Sequence, residues 1–118
     1  MYNGYMKLIT IDIKSERQTV REAIAQFLTE LEAYQKGGFK VMKVIHGYGS
    51  HGVGGAIRTE LMKTLRDLKN RKKIVDYIPG NEWPSAKQAK KMAINYCPDL
   101  LADSEMSFVN SVVTIVIM

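Results

Sequence analysis

A glycine-rich segment between a strand pattern and a helix pattern constrains the fold of this chain more than any other feature. Five mostly apolar residues at 41–45 lead into it, and five of the nine glycines lie between Gly47 and Gly55. Glycine is needed where the backbone takes positive φ or where another group approaches closely. A strand that runs through such a loop into a helix leaves free N–H groups at the positive end of the helix dipole, which suits an anion. The pattern predicts a phosphate site; the alternative is a tight turn that binds nothing.

Two histidines flank the first glycines of this loop. His46 follows the predicted strand, which suits a general acid or base because its unperturbed pKa lies near neutrality. Its alternative role is a neutral imidazole that bonds to the backbone and braces the loop. His51 could bind phosphate when protonated, or simply be exposed. The predicted phosphate contacts of the loop are Gly47, Tyr48, Gly49, Ser50, His51, Gly52, Gly54 and Gly55.

Positive charge is concentrated around the same loop. The formal net charge is +5, but residues 36–73 alone hold ten basic and two acidic side chains. Lys and Arg supply most of the sequence-independent affinity for nucleic acid, so a basic segment beside a phosphate site indicates a nucleic-acid partner, DNA or RNA. The basic residues predicted to contact it are Arg58, Arg66, Lys69, Arg71 and Lys72.

Length and composition bound the class of protein. With 118 residues, the chain is predicted to form one domain, 1–118. One cysteine, Cys97, excludes an internal disulfide and fits a reducing compartment, so we expect a cytoplasmic protein. The longest apolar run is far shorter than the roughly 20 residues of a membrane helix, so no membrane association is expected. The oligomeric state stays open.

Hydrophobic periodicity predicts alternating strands and helices. We expect strands at 7–13, 41–45 and 74–78, with helices from 15 or 19 to 36 and from about 55 to 69. Two capping boxes compete for the start of the first helix, one of Ser15 with Gln18 and one of Thr19 with Glu22. The predicted core stripe of the second helix is Ile57, Leu61, Leu65 and Leu68.

The last third of the chain is harder to interpret. A helix is expected between Pro84 and Pro98, with a thin stripe of alanines facing inward. The final strand, 109–118, is rich in β-branched residues and carries no charge. Such a strand is covered on both faces or lies in the middle of a sheet.

The order strand, helix, strand, glycine loop, helix, strand, strand resembles the Smr domain, the small MutS-related domain. His46-Gly47-Tyr48-Gly49 is similar to its HGxG motif, and Glu22-Ala23 is similar to the EA pair early in its first helix. Gly55-Ala56-Ile57-Arg58 resembles the start of its second helix, and Thr114 resembles its ATvV-like ending. The resemblance implies an α/β fold, a two-layer α/β sandwich of βαβαββ type with a four-stranded mixed sheet. An insertion at about 81–108 would add an extra helix before the last strand.

The same resemblance implies a nucleic-acid-binding domain with a weak nicking endonuclease activity on DNA or RNA, in which Asp12 and His46 are the catalytic residues. Asp12 would orient His46 or hold a Mg²⁺ ion, and no other cofactor is expected. The LDxHG motif of the family aligns with 11–15, where Lys14 replaces the histidine. A lysine stays protonated at neutral pH, so it neutralises phosphate but is a poor base. This replacement favours binding over cleavage.

Two other functions fit parts of the sequence. The glycines at 47, 49 and 52 satisfy the dinucleotide-binding fingerprint, with Asp76 as the acid for the ribose. The short chain leaves little room for a substrate domain, so we rank this nucleotide-binding function second. The third is a non-catalytic protein-interaction module whose apolar surface is formed by residues 83–108.

Overall fold

Three α-helices and four strands form within residues 7–14, 18–47, 53–106 and 110–118, which the computed structural model describes. In chain order they are β1 (Ile9–Asp12), α1 (Val20–Lys36), β2 (Val41–Ile45), α2 (Val53–Asn70), β3 (Asp76–Pro79), α3 (Lys87–Tyr96) and β4 (Val113–Ile117). Short 3₁₀ turns at Gly80–Ser85, Pro98–Leu101 and Ser104–Met106 flank α3. None of the described helices is long and apolar enough to cross a membrane.

The four strands form one mixed sheet in the order β1-β2-β4-β3. β1 pairs with β2 in parallel, whereas β4 is antiparallel to both of its neighbours. Ile11 pairs with Val44, and Ile115 lies between Lys43 and Ile78. The predicted α/β class and four-stranded mixed sheet are therefore confirmed, and the carboxyl ends of β1 and β2 lie side by side.

Both long helices cover one face of this sheet, as predicted. α1 starts at the second of the two capping boxes, in which Thr19 and Glu22 each accept the other's backbone N–H; Ser15 lies outside the described residues. Phe27 of α1 packs in a common core with the inward residues of β1 and β2. The whole predicted stripe of α2 is buried there as well: Ile57, Leu61, Leu65 and Leu68.

The segment after β3 covers the opposite face of the sheet. A second core cluster joins Val113, Ile115 and Ile117 of β4 to apolar residues of this segment, namely Trp83, Ala93, Cys97, Leu100 and Met106. β4 is thus buried at all five positions and lies between β2 and β3, so both of the predicted alternatives, a central strand and one covered on both faces, apply to it. These apolar side chains are buried inside the fold, whereas Met92, Tyr96 and Leu101 of the same segment are exposed, so the predicted protein-interaction surface stays a prediction.

Two contacts attach this covering segment to the sheet, an ion pair and a close backbone approach. Lys43, at 4% exposure in the middle of β2, forms an ion pair with Asp103 at 2.8 Å. Gly80 approaches the chain before β4 so closely that a Cβ there would collide with the carbonyl oxygen of Asn110. Charge pairing and close backbone contact therefore attach the segment to the sheet.

The ends of the elements differ from prediction by a few residues. α2 begins at Val53, two residues before the predicted start, so Gly54 and Gly55 belong to its first turn. β3 begins at Asp76 instead of 74, because Lys72 ends α2 in the left-handed region (φ 61) and the chain must return to the sheet. β4 is shorter than the predicted 109–118.

Candidate nucleic-acid interface

Asp12 and His46 lie at neighbouring strand ends but on different faces of the sheet. Asp12 pairs with Ile45, and His46 is the next residue along β2. Because successive side chains of a strand point to opposite faces, His46 points toward α1 and α2, whereas Asp12 points to the other face. The Asp12 carboxylate accepts the backbone N–H of Lys14 (2.9 Å) and forms an exposed ion pair with its ammonium (3.2 Å). The predicted catalytic residues are therefore not brought into contact.

The imidazole of His46 is fully buried and bonded at both nitrogens. Nδ1 lies 2.8 Å from the carbonyl oxygen of Gly47, and Nε2 lies 2.9 Å from the hydroxyl of Thr114. A carbonyl oxygen only accepts, so Nδ1 carries the proton and Nε2 accepts from Thr114. Burial lowers the pKa of His46, and the nearby Arg58 charge lowers it further against the opposing backbone hydrogen bonds. These contacts favour the bracing role over proton transfer.

Gly47 follows His46 directly and is the first glycine of the glycine-rich segment. It has φ +78, a conformation that glycine adopts without the strain of a Cβ. Its N–H donates to the carbonyl oxygen of Val112 at 3.1 Å, and the N–H of His46 donates to the same oxygen at 2.9 Å. The Gly47 N–H is thus used inside the fold, which contradicts its prediction as a free phosphate donor. The other predicted loop contacts, Tyr48, Gly49, Ser50, His51 and Gly52, lie outside the described residues.

A cationic cleft runs between α2 and the edge strand β3. Arg58, Arg66 and Lys69 lie on one side of α2, since their spacing of eight and then three residues returns to the same helix face. The cleft has a volume of about 440 Å³, and its other lining residues are Met62, Asp76, Tyr77, Pro79 and Glu82. Three of the predicted polyanion contacts are therefore brought together. We call this cleft, defined by its eight lining residues, the α2–β3 cleft.

Arg58 contributes a buried donor without a described partner to the cleft. Its Nε is buried and has no hydrogen-bond partner among the described residues. Its Nη2 makes only a long bond to Asn81 Oδ1, at 3.4 Å. A buried N–H without a partner is unfavourable, and a guanidinium presents paired donors that match the oxygens of a phosphate. The guanidinium of Arg58 therefore has donors that no described residue engages.

Lys69 and Asp76 occupy the other end of the cleft. Lys69 Nζ lies 3.0 Å from Asp76 Oδ1, which also accepts the N–H of Tyr77. Asp76 pairs with Ile117, the residue that also pairs with Val41 at the start of β2. It therefore lies at the opposite end of the sheet from the glycine loop. This contradicts the role of Asp76 in the dinucleotide function, because that role needs an acid near the loop.

The remaining predicted basic residues lie outside the cleft. Arg71 pairs with Asp67 at 3.2 Å on the exposed surface of α2, and Lys72 ends that helix. Lys14 is paired with Asp12.

Among the described residues, no three His, Cys, Asp or Glu side chains cluster as metal ligands. Sequence reasoning missed Tyr77 and Asn81, whose positions depend on how β3 docks beside α2.

Comparison with known families agrees with this fold. The Smr domain family model matches residues 11–82, which is more than half of the chain. The chain belongs to the Smr domain family. The match begins in β1 and ends in the turn after β3, so it includes the α2–β3 cleft and leaves out α3 and β4. The Smr assignment supports a nucleic-acid-binding or nuclease-like class. No curated protein and no solved structure matches the chain.

Proposed function

We propose that this Smr domain binds the sugar-phosphate backbone of DNA or RNA in the α2–β3 cleft. The observation that carries the proposal is the cleft itself, in which Arg58, Arg66 and Lys69 converge and in which the Arg58 guanidinium makes only one long hydrogen bond to a described residue. Phosphate oxygens would accept from these donors. Family membership supports the same class of ligand.

The dimensions of the cationic row suit an extended polyanion. Eleven residues separate Arg58 from Lys69, and at 1.5 Å of rise per residue the row is roughly 16 Å long. Phosphates of one strand follow each other at about 3.4 Å along a duplex axis, so the row spans about five nucleotides. Contacts of this kind hold the backbone and do not read bases.

Binding, and not hydrolysis by Asp12 and His46, is the activity that this geometry supports. The two side chains point to different faces, and His46 is buried with both nitrogens bonded. A general base must be within hydrogen-bond reach of the proton that it removes. A cytoplasmic location belongs to the same proposal, because the one cysteine suits a reducing compartment.

A binding assay with single-stranded, branched and duplex substrates at two salt concentrations tests the proposal. Arg66→Gln should weaken binding about tenfold at the lower salt concentration, similarly across sequences, and should reduce the salt dependence by about one unit of slope. Lys63→Gln is the matched control, since Lys63 is an exposed cation of α2 that does not line the cleft. Equal losses in both variants would mean diffuse attraction to the basic helix, and no loss in Arg66→Gln would exclude the cleft.

A further inference from the structure

The segment after residue 82, which the Smr family match leaves out, contains a second cationic helix. α3 carries three lysines and no acidic residue. Its inner side is already used, because Ala93 is buried in the second core cluster and Ala89 and Ile94 pack against that cluster. The lysines therefore lie on the outer surface of α3, because the apolar stripe of this helix packs against the second core cluster.

The outer surface of α3 is cationic and has no described counter-charge. Lys87 and Lys91 are exposed, and no carboxylate of the described residues forms an ion pair with them. Lys90 lies over the ring of Trp83, 5.3 Å from its centroid. Like charges one turn apart repel each other, so this arrangement costs stability unless an anion relieves it. With Ile94 and Asn95, the three lysines line a shallow depression of about 250 Å³.

α3 and the α2–β3 cleft flank the same edge of the sheet. β3 is the last strand in the sheet order, α2 covers one face beside it, and α3 packs against it from the other face. Gly80–Ser85 joins the end of β3 to α3 and contributes Glu82 to the rim of the cleft. A chain of phosphates that leaves the cleft across β3 would therefore reach the lysines of α3.

We propose that the outer surface of α3 is a second contact for the nucleic-acid backbone, engaged by strands too long for the cleft alone. This inference rests on the proposed function of the cleft. The depression lined by Lys87, Lys90 and Lys91 presents cations that can follow a phosphate backbone.

A nucleic acid fits this surface better than an anionic membrane does. A helix that lies in a membrane interface inserts a continuous apolar face among the acyl chains. In α3 that face is packed against the sheet through Ala93 and its neighbours. What is left outside is a set of cations with isolated apolar side chains, which is the composition of a groove that follows a backbone.

Fluorescence anisotropy with single-stranded DNA of two lengths, roughly 4 and roughly 20 nucleotides, tests the proposal, because the shorter strand is about as long as the roughly 16 Å row of the cleft and only the longer one extends beyond it. The test variant is Lys87→Gln/Lys91→Gln, which leaves Lys90 on Trp83. The control is Lys7→Gln/Lys40→Gln, which removes two exposed cations next to β1 and β2. Circular dichroism melts check that both variants stay folded.

The test variant should lose about tenfold in affinity for the long strand and change little with the short one, whereas the control keeps both affinities. Undiminished binding of the long strand would overturn the α3 contact while leaving the cleft intact. Unchanged binding of both lengths in Arg66→Gln would instead refute the cleft. Loss of binding to phosphatidylserine vesicles, with DNA affinity unchanged, would overturn the proposal in favour of a membrane contact.

Discussion

Nε2 of His46 lies 2.9 Å from the hydroxyl oxygen of Thr114, and this bond joins the end of β2 to the start of β4. Both groups are fully buried. The two residues belong to the HGxG-like and ATvV-like parts of the sequence, which are 68 residues apart and meet only in the folded sheet. The pair holds the strand end from which the glycine loop departs.

We expect Thr114→Val to destabilise the fold by about 1–3 kcal/mol, because it keeps the shape of the side chain but leaves Nε2 buried without a donor. Thr10→Val is the control, since Thr10 is an exposed threonine on β1. Urea unfolding of both variants measures the difference. Equal stability of Thr114→Val and the unmodified chain would contradict the bracing role.

The burial of His46 predicts a pH effect on stability. Burial lowers the pKa of His46 below its ordinary value of 6.5, so below that pH the unfolded chain binds a proton that the native chain does not. The contribution of neutral His46 is therefore complete above about pH 6.5 and is lost as the pH falls toward the lower folded-state pKa. The free energy of unfolding of His46→Gln should therefore decline less between pH 7 and pH 5 than that of the unmodified chain. An identical pH profile in the variant would contradict the assignment.

Asp12→Asn should leave any cleavage of nucleic acid unchanged. The carboxylate faces away from His46 and is paired with Lys14. Nicking of supercoiled plasmid and cleavage of RNA, each with and without Mg²⁺, measure this directly, with His46→Ala run beside it. A loss of metal-dependent cleavage in Asp12→Asn would restore the catalytic function predicted from the family resemblance.

Asp76→Asn should raise the affinity for nucleic acid several-fold at low salt. The change releases Lys69 from its ion pair in the cleft and removes a carboxylate that repels phosphate. Asp67→Asn is the matched control, since it changes the net charge equally but releases Arg71 outside the cleft. If the two variants gain the same affinity, only net charge matters and the cleft has no special role.

Local sequence patterns predicted most of the fold. The core stripe of α2 and the capping box at Thr19 were readable because each depends on residues within one or two turns. The burial of Lys43 and Thr114 was not predicted, although each lies between apolar residues of a strand. Their partners lie 60 and 68 residues away, and no local pattern identifies them.

The site was only partly predictable for the same reason. That Arg58, Arg66 and Lys69 share a helix face follows from their spacing. That they face β3 depends on β4 lying between β2 and β3, a long-range pairing. The opposite directions of Asp12 and His46 follow from the register of β1 against β2, in which a shift of one residue reverses every side chain.

The most direct test of the account is an NMR titration of the ¹⁵N-labelled chain with a short single-stranded oligonucleotide, observed at the arginine Nε–H groups. Binding in the α2–β3 cleft predicts that the Nε–H signal of Arg58 shifts, because a phosphate that binds its guanidinium changes the surroundings of this group. The Nε–H of Arg71, outside the cleft, should change little. A titration that shifts Arg71 while Arg58 stays constant would contradict binding in the α2–β3 cleft.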